Sequence, residues 1–105
     1  MIVEILAFAG CPNSDPTRGT VEEILREFEL EVEIRTIDVP DLEAAHRLRF
    51  LGSPTVRVDG RDVEPGSHER SDYVIGCRVF RTEAGLRGQP DERWIRAAVL
   101  EGVGE

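Results

Sequence analysis

The segment "AGCPNSDPT", residues 9–17, sets Cys11 three residues ahead of Ser14 in a Cys-Pro-x-Ser loop. Glycine, proline, asparagine and serine are turn-forming residues, so this cysteine reads as an exposed thiol rather than a small buried apolar side chain. A helix starting near Asn13 to Pro16 would aim the N–H groups of its first turn at the sulfur. Its dipole would favour the thiolate, which is the nucleophilic form of cysteine. That influence fades beyond the first turn, so a helix starting only at Thr20 would withdraw it, and a nearby Asp15 carboxylate would oppose it. Ser14 either hydrogen-bonds the thiolate or caps the helix.

The second cysteine lies in "DYVIGCRVF", residues 72–80. Strand alternation there puts Tyr73, Ile75, Cys77 and Val79 on one face and Arg78 on the other, which makes Arg78 a poor activator of the sulfur. Two readings of Cys77 stay open. It is a packed core cysteine, or the chain returns it to Cys11 as the partner thiol that Ser14 does not supply. His46 and His68 invite a metal reading, but no C-x-x-C or H-x-x-x-H spacing accompanies them, and no preformed metal site is expected. A two-thiolate site for a soft ion such as mercury or copper(I) needs fewer ligands and stays open. Tyr73 and Trp94 read as core or core-edge aromatics.

With 105 residues and 40% hydrophobic content, the chain is expected to form one domain over residues 1–105. Its formal net charge of -8 disfavours nucleic acid and anionic lipid as partners. All thirteen cationic side chains are arginine, which excludes Schiff-base chemistry on a lysine. The apolar opening "MIVEILAF" contains Glu4 and lacks a basic leader, so it reads as a strand rather than a targeting or membrane segment. That reading places the chain in the cytoplasm, where its cysteines are expected to be free thiols. No cofactor is called for.

The elements that must position these thiols follow from periodicity. Residues 2–9 form a strand suited to burial on both faces, and Val21, Ile24, Leu25 and Phe28 recur at amphipathic helical spacing. Residues 31–39 alternate as a second strand. Pro40 and Asp41 open a second helix with the stripe Leu42, Ala45, Leu48 and Leu51, ended by Gly52. Residues 54–58 and 61–63 form a hairpin about Asp59-Gly60. Residues 64–89 read as loop, then a strand or core-packed stretch at 73–80, then loop. A last helix from about Pro90 turns Trp94, Ile95, Ala98 and Val99 inward. The expected order is β-α-β-α-β-β-α, an α/β fold with a mixed four-stranded sheet and helices on both faces.

This order resembles the thioredoxin-like superfamily over residues 1–63 and the final helix, with 64–89 as an insertion. "GCPNS" matches the position of the family's Cys-x-x-Cys loop. "LGSPTVRVDGRDV" looks like the segment in which a cis-proline precedes the third strand. The resemblance implies that Cys11 is the nucleophile, Ser14 the resolving position and Pro54 the cis-proline. It also implies that Ser53 faces the cysteine and offers its backbone to an extended substrate, with Pro12, Ser53, Pro54 and Thr55 forming the substrate-binding surface. One-thiol glutaredoxins share the Cys-x-x-Ser loop, but this chain has no Gly-Gly-x-Asp segment after the hairpin and no lysine before the cysteine, so a glutathione site is not carried over.

Three functions are compatible with these residues. The first is thiol–disulfide exchange with a protein or small-molecule thiol or disulfide, Cys11 attacking and Cys77 or an external thiol resolving. The second is handling of a soft metal or organomercury by Cys11 and Cys77. The third is a catalytically silent scaffold that binds a peptide along the Pro54 edge or pairs with itself.

Overall fold

A computed structural model describes residues 1–104. Strand β1 (Val3–Ala7) lies at the centre of a mixed four-stranded sheet in the order β2-β1-β3-β4. It runs parallel to β2 (Ile34–Asp38) and antiparallel to β3 (Thr55–Val58), which turns into β4 (Arg61–Asp62). The turn has positive φ at both Asp59 and Gly60, the geometry a two-residue hairpin of matching twist requires. A parallel pair needs a long crossover, and α1 (Ser14–Glu27) supplies it between β1 and β2.

Side-chain alternation along β1 divides the interior into two layers. Val3 and Ile5 face α1 and α3 (Glu92–Val103), packing with Val21, Ile24, Leu25, Val56, Val58, Ile95 and Val99. Leu6 faces the other way, against Val39, Phe50 and the Ala44 and Ala45 side chains of α2 (Leu42–Arg47). Helices therefore cover both faces of the sheet, and Trp94 packs half-buried at the edge of the first layer.

Helix α2 is shorter than its apolar stripe implies. It closes at Leu48, and Leu42 at its start is 55% exposed rather than part of the core. Asp41 caps it by accepting from the Ala44 N–H. Asp91 caps α3 in the same way through the Arg93 N–H, and the Arg93 guanidinium beside it holds the Asp91 carboxyl well below the usual carboxylate range.

Residues 64–89 differ most from expectation. They contain a 3-10 turn at Ser67–Glu69 and a second hairpin, β5 (Phe80–Thr82) with β6 (Gly85–Arg87), where the sequence reads as loop. The expected alternation holds at Tyr73 and Ile75, which are half-buried beside an exposed Val74, but it is shifted by one residue over 77–80. Arg78 and Phe80 are buried, while Cys77 and Val79 are exposed. No helix among the described residues is long and apolar enough to cross a membrane.

Candidate functional site

β1 ends at Ala7, and the chain turns at once, with the Cys11 N–H donating to the Phe8 carbonyl at 3.3 Å. Asn13 is the cap residue of α1, without a side-chain cap bond, so the expected helix start near Asn13 to Pro16 holds. Cys11 lies two residues before that cap, half-buried and unpaired, and its carbonyl accepts from the Ser14 N–H at 3.4 Å. Ser14 is the first helical residue, and the cap position falls to Asn13 instead. Pro12 is exposed between them.

The same end of the sheet receives β3. Leu6 pairs with Thr55, which sets the C-terminal end of β1 beside the Ser53-Pro54 entry to β3. The Ser53-Pro54 peptide is cis. Ser53, Pro54 and Thr55 are all buried, so of the four residues expected to meet a substrate only Pro12 is exposed.

What covers Ser53 is the segment carrying Cys77. Ser53 forms a parallel bridge to Cys77: its N–H donates to the Gly76 carbonyl at 2.8 Å, and its carbonyl accepts from the Arg78 N–H at 3.0 Å. A third main-chain bond, from the Val74 N–H to the Phe50 carbonyl at 3.1 Å, extends the contact. Gly52 makes the approach possible. A Cβ there would sit 2.9 Å from the Arg78 Cβ and 3.2 Å from the Gly76 carbonyl oxygen, and the residue has φ +122°. The segment's far end also borders the cysteine loop, since a Cβ on Gly88 would run into the Asn13 side chain.

Arg78 anchors this covering strand. The residue is 3% exposed, and its two terminal guanidinium nitrogens donate to both Asp62 carboxylate oxygens (2.7 and 3.2 Å), to Glu64 (3.0 Å) and to the Thr55 hydroxyl (2.9 Å), while its Nε has no partner among the described residues. It also lies 4.5 Å over the Phe80 ring, a cation–π contact. A buried charge must be paired and hydrogen-bonded, and these groups do both. The Cys77 side chain is turned outward because Arg78 takes the inner position. The apolar strand face expected for Cys77 is therefore corrected: both thiols are accessible to some degree, and Cys77 is the more exposed.

The anchor is the site residue that sequence reasoning missed. Its signal was an arginine inside an apolar run, together with carboxylates two apart at Asp62 and Glu64. His46 and His68 are exposed and lie elsewhere, His46 edge-on to Tyr73 at 5.7 Å between ring centres. Among the described residues no three His, Cys, Asp or Glu side chains gather as a metal-holding group. Two grooves, of about 600 and 750 Å³, have no cysteine in their lining. Compared with protein-family models, curated proteins and solved structures, the chain gives no significant match.

Proposed function

We propose that this chain is a thioredoxin-like thiol–disulfide redox protein of the cytoplasm, with Cys11 as nucleophile and Cys77 as its resolving thiol. The observation that carries the reading is the bridge from Cys77 to Ser53, at the sheet end where the Cys11 loop leaves β1. The position of Cys11 in the turn just ahead of α1, half-buried and unpaired, supports the nucleophile role. Ser14 in the helix leaves the second thiol to be supplied from the 64–89 segment.

The chemistry takes two exchanges. The Cys11 thiolate attacks one sulfur of a disulfide R–S–S–R, forming a Cys11–S–S–R bond and expelling one thiolate. The Cys77 thiolate then attacks the Cys11 sulfur, forming a Cys11–Cys77 disulfide and expelling the second. The two expelled thiolates take up the two protons given up by the cysteines, and the substrate disulfide gains the two electrons that the dithiol loses. An external dithiol returns the protein to its reduced form.

Thiol release from bis(2-hydroxyethyl) disulfide tests the assignment in a single turnover. The reduced protein should release two thiols per chain. Cys77→Ser should release one and retain a mixed disulfide on Cys11, and Cys11→Ser should react far more slowly. Equal rates for the wild type and Cys11→Ser would overturn the nucleophile. A soft-ion function would show instead as stoichiometric mercury binding that needs both cysteines, without the two-thiol release.

A further inference from the structure

We infer that residues 76–78 close the Ser53 edge to any extended peptide, so that the disulfide reduced by Cys11 and Cys77 is a small organic one. The inference rests on the dithiol reading above and adds the substrate class.

An extended peptide binds a sheet edge by continuing its ladder of main-chain hydrogen bonds. At Ser53 both groups needed for that are already used, the N–H by Gly76 and the carbonyl by Arg78. Pro54 has no N–H to offer, and Thr55 is paired with Leu6 of β1. A peptide could reach Ser53 only by lifting residues 76–78. That would break both bonds and draw the buried Arg78 guanidinium away from Asp62, Glu64 and Thr55. The absent Cβ at Gly52 lets the segment sit directly against the chain that enters β3. Gly88 against Asn13 brings the same segment beside the helix start that follows Cys11. A small disulfide needs none of these main-chain contacts. It requires only a path to the sulfurs, and Cys11 is half-buried while Cys77 is exposed.

Two probes that share a 2-mercaptoethanol half separate the alternatives. One is bis(2-hydroxyethyl) disulfide. The other is an extended synthetic peptide whose single central cysteine is capped by 2-mercaptoethanol. Single-turnover rates of the reduced protein are measured with each and divided by the rate of dithiothreitol with the same probe, which removes their intrinsic reactivity. The small disulfide is expected to be favoured by about tenfold or more, which corresponds to about 1.4 kcal/mol. A smaller preference overturns the closure while leaving the dithiol reading in place. No reaction with either probe overturns the dithiol reading, and this inference with it.

Discussion

Ser53 and Thr55 are both fully buried hydroxyl residues at the entry to β3, yet their hydrogen-bond balances are opposite. The Thr55 hydroxyl donates to the Gly52 carbonyl at 2.7 Å and accepts from Arg78, whereas the Ser53 hydroxyl has no partner among the described residues. Removing a paired buried hydroxyl leaves its partners unsatisfied, while removing an unpaired one relieves a desolvated group. Thr55→Val should therefore lose about 1–3 kcal/mol in a denaturant titration, and Ser53→Ala should be as stable as the parent or slightly more so. Equal losses for the two variants would contradict these hydrogen-bond assignments. The Cys11 loop was legible in the sequence because glycine and proline on either side fix a turn through local backbone limits alone. The orientation of Cys77 was not. Counting apolar residues at every second position put it inside, but the strand is registered by Arg78, whose carboxylate partners lie fourteen and sixteen residues away in sequence.

At the scale of elements, the 76–80 segment behaves as an extra strand held by one ionic anchor. Arg78→Ala would leave Asp62, 12% exposed, without its cation, and Glu64, 16% exposed, with only Arg70 at 3.5 Å. Breaking a buried pair from one side costs about 3–5 kcal/mol, and the loss should be visible in thermal melts. Amide hydrogen exchange should locate it, with the main-chain N–H groups at positions 53 and 78 losing protection before the β1 amides. Uniform loss across the sheet would mean that the segment is not a separately released unit. Element type was readable wherever a local rule applied, as with the Asp59-Gly60 hairpin, the Asp41 cap and the α1 stripe. It was unreadable in β5 and β6, each three residues long, which are ordered by packing of Phe80 against Arg78 and Trp94. Helix α2 failed in another way. Its stripe runs on through Leu48 and Leu51, but the chain turns with Arg49 at φ 56°, and Arg57 donates to the Leu48 and Arg49 carbonyls to close the helix end.

For the whole molecule, the mixed sheet with helices on both faces follows from two apolar layers on either side of β1, and the alternation of Val3, Ile5 and Leu6 encodes them directly. The same topology gathers the end of β1, the start of β3 and the start of α1 at one end of the sheet, where residues 76–88 fold over them. The thiol chemistry proposed here depends on that end being a dithiol rather than two unrelated cysteines. Non-reducing peptide mapping after one equivalent of diamide tests this most directly. The account predicts a single intramolecular Cys11–Cys77 disulfide in monomeric protein, formed at protein concentrations low enough to suppress dimers. Oxidation that yields only intermolecular dimers, or leaves Cys77 free while Cys11 is modified, would contradict it.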